Sequence, residues 1–262
     1  MAEAVETHAP APRPIVRRLE YSDLGAALRA GWRDFTRAPG LGVFFGTVFA
    51  IGGWLLIYFL FVIERSWLAL PITVGFPLLG PFTAVGLYEI SRRLEAGESW
   101  EMVDILGVIW RQKDRQVVMM SWVIIVYFLF WSFFAHMLFA LFLGPSALMN
   151  VTTSYAYLLA PEGLSMLLVG TAFGAIFAGL LFALVVVALP LLLDRELDFV
   201  TAMIASVEAV RESPWVMLAW GIVISGLLFA AMAPAFLGLL VVFPVLGHAS
   251  WHIYRRAVMR QA

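Results

Sequence analysis

The chain has 262 residues, of which 62% are hydrophobic and only 13% charged, about half the charge of an ordinary soluble domain. A net charge of −1 leaves no basic surplus for a nucleic-acid partner. The lack of cysteine excludes disulfides, thiolate metal sites, iron–sulfur clusters and thioether-linked haem, so no cofactor is expected.

Residues 1–19 are rich in Pro, Ala and charge, and read as a disordered cytoplasmic tail with no apolar core of the kind a cleaved secretory signal needs. Residues 20–262 read as a single membrane domain. A short amphipathic helix is expected from Asp23, with Leu24, Leu28 and Trp32 at steps of four and its acid near the positive end of the helix dipole. Six apolar spans then follow, at 40–63, 67–90, 117–143, 164–193, 214–232 and 234–253. Each can cross a hydrocarbon core of about 30 Å at about 1.5 Å per helical residue.

Charge sets the orientation of these spans. Arg13, Arg17, Arg18, Arg29, Arg33 and Arg37 precede the first; Arg92, Arg93, Arg111, Lys113 and Arg115 separate the second from the third. Arg195 and Arg211 separate the fourth from the fifth, Arg255, Arg256 and Arg260 follow the last, and only Arg65 falls on the opposite side. The positive-inside rule therefore places both termini in the cytoplasm, with the chain multi-pass in the membrane.

Internal similarity gives the spans an order. Asp23, Leu24, Leu28, Trp32, Pro39 and Gly46 match Asp198, Phe199, Met203, Val207, Pro214 and Gly221 without a gap, and Glu101, Met102, Leu106, Trp110 and Arg111 form a weaker third copy. Each copy precedes a pair of spans, and the second span of each pair carries a proline in a similar setting: Pro77, Pro190 and Pro244. The expected fold is all-α: three helix-hairpin repeats, about 22–93, 100–196 and 197–256, with amphipathic interfacial helices on the cytoplasmic side. Two true copies and an unrelated middle is the competing reading. Gly42 with Gly46, Gly170 with Gly174, and Gly221 with Ser225 have the small-xxx-small spacing of helix-packing seams. The prolines are expected to kink their helices. Trp54, Trp67, Trp122, Trp131, Trp215, Trp220 and Trp251 read as interfacial anchors. Asn150-Val151-Thr152 fits the glycosylation pattern but is too short a motif to carry weight.

Ionisable groups near spans are costly and mark candidate sites. They form one expected cluster at the cytoplasmic face: Glu89, Arg92, Arg93, Asp194, Arg195, Glu196, His248 and His252. Each also has a plainer role. Glu89 can pair with Arg92 and Arg93 at helical spacing, and Asp194-Arg195-Glu196 can stop a span and cap the next helix. His248 and His252 share a helical face that could hold one metal ion, but only with further ligands from Glu89, Asp194 or Glu196; no metal site is expected. His136 lies toward the opposite leaflet, roughly 28 Å along its helix, too far to share a haem with His248. No phosphate-cradling loop, zinc-protease helix or nucleophile elbow appears, so an enzyme is not expected.

The strings Gly31-Trp32-Arg33-Asp34-Phe35, Gly86-Leu87-Tyr88-Glu89-Ile90-Ser91-Arg92-Arg93, Leu193-Asp194-Arg195-Glu196 and Leu246-Gly247-His248-Ala249-Ser250-Trp251-His252 resemble a bacterial integral-membrane family classed as a domain of unknown function. Some members of that family are labelled cytochrome c oxidase subunits. The resemblance implies an inner-membrane protein. A catalytic oxidase subunit would need more intramembrane histidines than this chain has. The function expected is a non-enzymatic accessory, assembly or regulatory component beside a larger membrane complex, in contact with lipid and with a membrane-protein partner or a second copy. The alternative is a small-solute or lipid transporter or channel built on parallel repeats, with proline breaks lining its path.

Overall fold

The computed structural model describes residues 14–63, 66–111, 116–144 and 160–259, with the backbone alone for 66–78 and 109–111. The tail to residue 13, Arg65, the Asn150 motif and the side chains of Trp67, Pro77, Trp110 and Arg111 lie outside the described residues. In chain order the helices are α1 (Tyr21–Arg37), α2 (Pro39–Ile57, continued by a π-helical turn Tyr58–Val62), α3 (Ser66–Ala96), α4 (Met102–Arg111) and α5 (Gln116–Leu143). They continue as α6 (Pro161–Val185), α7 (Ala188–Asp194), α8 (Phe199–Glu212), α9 (Pro214–Met232) and α10 (Leu239–Ala257).

Local sequence explains where the short helices start and stop. In α1, Asp23 accepts from the backbone N–H of Glu20 at 2.9 Å, half of a capping box. Asp104 does the same for Glu101 at 3.0 Å before α4. Ile105, the residue after Asp104, is fully buried, as Leu24 after Asp23 is buried. At their far ends α1 and α8 turn the same corner: Ala38 (φ −131, ψ 51) and Ser213 (φ −136, ψ 55) each precede a proline that opens the next helix. Burial matches along these two helices as well: Ala27, Ala30, Gly31 and Asp34 in α1, and Ala202, Ala205, Ser206 and Ala209 in α8.

The core sits at one end of the long helices. Most buried residues of α2, α5 and α9 lie within Leu41 to Gly46, Val117 to Ile124 and Val216 to Trp220, with Ala50, Gly52, Gly53, Leu138 and Ala231 buried farther along. Farther along, Phe130, Phe133, Leu141, Leu168, Ile176, Ile222 and Phe229 are exposed. Pro39–Val62, Gln116–Leu143, Pro161–Asp194 and Pro214–Met232 are long and apolar enough to cross a membrane, yet only 22%, 22%, 39% and 22% of their most apolar windows are buried inside the protein. Apolar surface on that scale belongs in lipid, because a water-soluble monomer rarely exposes more than a few hundred Å² of it in one patch.

Among the described residues those four helices include neither the expected second span at 67–90 nor the expected sixth at 234–253; the register of the last helix places it in the fold. Ala235 accepts from the Trp54 indole N–H at 2.5 Å. An added Cβ on Gly53 would meet the Phe236 ring, one on Gly46 would meet Leu239 and Leu240, and one on Gly42 would reach Pro244 Cβ at 3.2 Å. Helix α10 therefore runs antiparallel to α2 and reaches the level of Gly42 at Pro244. His248 lies one turn beyond, level with α1 rather than with the apolar part of α2. Leu246, His248, Ala249, Trp251, His252 and Ile253 are buried inside protein beside α1 and α3. The turn before α10 spans 233–238, with Ala235 (φ 51) and Phe236 (φ 65) in the left-handed region that β-carbon residues disfavour.

Around the end of α10 the short helices close the fold. Helix α1 packs on α10, α4 on α3, and α8 on α6 and α7. Gly31 makes the first contact possible, since a Cβ there would lie 2.6 Å from the Val245 carbonyl and 2.7 Å from the Ala249 nitrogen. Residues 14–19, expected within the tail, are in place: Val16 bridges Val258, and Arg17 N–H donates to Ala257 O at 2.7 Å. Of the proline helices, the one at Pro190 is interrupted, at Val186 and Val187 between α6 and α7. The freed Val187 N–H is buried and donates to Ser206 Oγ at 3.1 Å. Ser206→Ala should cost about 1–3 kcal/mol, the penalty for a buried donor left without a partner, measurable as a lower unfolding midpoint in detergent.

Candidate functional site

A buried polar cluster joins four elements at the arginine-bearing end. Asp34 of α1 is 2% exposed. It accepts a hydrogen bond of 2.7 Å from His252 Nε2–H of α10. The other nitrogen of His252 lies 3.5 Å from Glu95 Oε1, and Arg255 Nε–H donates to Glu95 at 3.1 Å. Arg255 also approaches Asp194 of α7 at 3.5 Å, and Asp194 accepts a bond of 2.6 Å from the Tyr254 hydroxyl. Carboxylates from α1, α3 and α7 thus converge on one face of α10.

The protonation pattern follows from burial and neighbouring charge. Burial pushes the Asp34 carboxyl up, but the hydrogen bond and charge of His252, with the Ser91 hydroxyl, hold it below its ordinary value. Glu95 is also lowered: burial opposes ionisation, and His252 and Arg255 outweigh it. Burial alone would lower His252, but its bonds to Asp34 and Glu95 raise it. Ser91 Oγ and His248 Nδ1 share a hydrogen bond of 2.9 Å. Burial pushes His248 down to about 4. Its Nε2 is buried without a hydrogen-bond partner among the described residues.

The expected cluster of eight residues divides in three. Asp194, His248 and His252 belong to the network just described. Glu89, 3% exposed, is clamped by Arg92 at 2.7 and 2.9 Å and by Arg93 at 2.6 Å, and these reach on to Glu98 at 3.1 Å and Asp104 at 3.6 Å, tying α3 to α4. Arg195 donates to the Met259 carbonyl at 2.6 Å, and Glu196 is exposed. Asp34, Ser91, Glu95, Tyr254 and Arg255 complete the network but were not expected in it. Asp34 had a legible signal, since it continues the Leu24, Ala27, Gly31 stripe with a carboxylate. Among the described residues, no group of three or more His, Asp or Glu could hold a metal ion. The arrangement binds the helices together.

Two open grooves lie elsewhere, and neither is lined by these residues. One, of about 730 Å³, runs along the outer face of α8 past Leu184. The other, of about 530 Å³, lies between α5, α6 and α9, with Trp131, Gly170, Thr171, Gly174 and Ser225 in its lining. The glycine pairs behave differently here. Gly42 and Gly46 seat α2 against α10 and the Phe35 ring, whereas a Cβ at Gly170 would meet nothing within 4 Å, one at Gly174 only the Trp131 ring at 3.3 Å, and one at Gly221 only Phe182 at 3.9 Å.

Long apolar helices with lipid-facing outer surfaces and a polar core at one end define an all-helical integral membrane protein. In agreement, residues 69–194 match the model of a family described as predicted integral membrane protein (DUF2189). The matched region runs from α3 through α7, so it contains Glu89, Ser91, Glu95 and Asp194 but neither Asp34 nor the two histidines of α10. No curated protein and no solved structure matches the chain.

Proposed function

We propose that this protein is a non-enzymatic component of a bacterial inner membrane that seats a transmembrane helix of a larger complex, such as a respiratory oxidase, in the groove between α5, α6 and α9. On this reading the chain is three hairpin units with both termini cytoplasmic. Each short helix packs on the returning helix of the unit before it, the first unit's on the third's, which closes a ring. The reading rests on Gly170, Gly174 and Ala178, a small-residue stripe lining a lipid-facing groove that no helix among the described residues fills. Helix contact in lipid depends on such close backbone approach. A transport role gains less support, because the helix break before Pro190 is capped by Ser206 instead of lining a path.

A photo-crosslinking residue placed at Gly170 in the full-length protein tests the reading. It should capture one defined membrane protein, whereas the same residue at Ile51, exposed on α2, should not. Gly170→Leu should fill the groove, abolish co-purification of that partner and leave the unfolding midpoint within about 0.5 kcal/mol of the parent. Capture at Ile51 alone, or a partner retained by Gly170→Leu, would overturn it.

A further inference from the structure

We propose that the outward face of α1 binds the anionic headgroups of phospholipids in the leaflet at the arginine-bearing end. Opposite its buried stripe, α1 exposes Arg29, Trp32, Arg33 and Arg37, spaced so that all four share one side of the helix. Trp32 is 54% exposed although the helix is otherwise well packed on α10. Among the described residues, Arg29 and Arg37 have no carboxylate within ion-pair distance. Arg33 reaches only Asp34, at 4.0 Å, and that carboxylate is already bonded to His252.

The level of this face is fixed by the chain. Only Ala38 separates Arg37 from α2, the first membrane-crossing helix, so the guanidinium row stands where that helix enters the lipid. Arginine matches phosphate oxygens with a planar pair of donors, and an indole beside it suits the boundary between headgroup and acyl chain. Helix α8 provides an internal comparison. It enters α9 through the same corner geometry, yet its corresponding outward positions hold Ile204, Val207, Glu208 and Glu212. The basic face is thus a feature of the α1 sequence and not a requirement of its place in the fold.

The occupant is a lipid surface of negative charge. Basic residues at such a surface attract anionic lipid with a strength of roughly fivefold each. The full-length protein would be reconstituted in vesicles of equal phosphatidylglycerol and phosphatidylcholine, extracted in mild detergent, and its retained phospholipids counted by mass spectrometry. The parent should retain phosphatidylglycerol in excess. The variant Arg29→Gln/Arg33→Gln/Arg37→Gln should lower the ratio of anionic to zwitterionic lipid by on the order of a hundredfold, and Arg37→Gln alone by about fivefold. The corresponding lysine variant should keep most of the excess. The proposal is overturned if the parent shows no excess, if the glutamine variant keeps the parent ratio, or if Arg211→Gln on α8 lowers it as far as Arg37→Gln does.

Discussion

Asp34→Ala should lower the stability of the folded protein by about 3–5 kcal/mol, the range for removing one partner of a buried ion pair. The loss arises less from the bond itself than from what remains. His252, buried, keeps only Glu95 at 3.5 Å. Unfolding of the purified protein by SDS in mixed micelles would measure the effect. Asp198→Ala is the control: Asp198 is an exposed helix cap accepting from Thr201 N–H at 2.8 Å, and its loss should cost only about 1 kcal/mol. The pair also sets a pH dependence. Asp34 titrates in the folded state below its ordinary value of 3.8, so its contribution is complete above that value and is lost as pH falls through the lowered one. His252 titrates above its ordinary 6.5, so its contribution is complete below 6.5 and is lost as pH rises through the raised value. Stability should therefore decline on both sides of a mildly acidic optimum, and Asp34→Ala should flatten the acid limb.

Gly31→Val should be the most damaging single change to packing. A Cβ at this position would stand 2.6 and 2.7 Å from backbone atoms of α10, and backbone cannot rotate aside as a side chain could. Overpacked cores lose about 1–3 kcal/mol even where side chains can adjust, so at least about 3 kcal/mol is expected here, with α1 displaced from α10. Proteolysis in the segment joining residues 14–19 to α1 would report that release before global unfolding does. Gly40→Ala provides the opposite sign. Nothing lies within 4 Å of a Cβ there, so the substitution should be neutral or stabilise α2 by up to about 1 kcal/mol. Equal effects at both glycines would show that α1 is not seated through close backbone approach.

Much of the fold was legible because composition and period reflect the solvent directly. The apolar runs of α2, α5, α6 and α9 are what lipid requires, and Asp23, Asp198, Pro39 and Pro214 marked helix boundaries by capping chemistry. What hydropathy could not separate was apolar sequence that faces lipid from apolar sequence that faces protein. Leu246, Ala249, Trp251 and Ile253 read as the end of a crossing, yet they lie beside α1 and α3. The candidate site was half visible for a related reason. His248, His252 and Asp194 stood out as charges next to apolar runs, while Asp34 lay in an amphipathic helix and Glu95 in the charged end of α3, where acids are ordinary. Their pairing with α10 joins residues about two hundred positions apart, which local patterns do not encode.

That separation has a consequence for biogenesis. The small-residue face of α1 leaves the ribosome long before its seat on α10 does. The membrane helices between them must be inserted while this face waits uncovered, and the contact of Asp34 with His252 closes a loop of 218 positions. Emergence of α10 therefore acts as the latch. A chain truncated before Leu246 would insert its helices and still leave α1, Asp34 and Ser91 without their partners, marking it for membrane quality control.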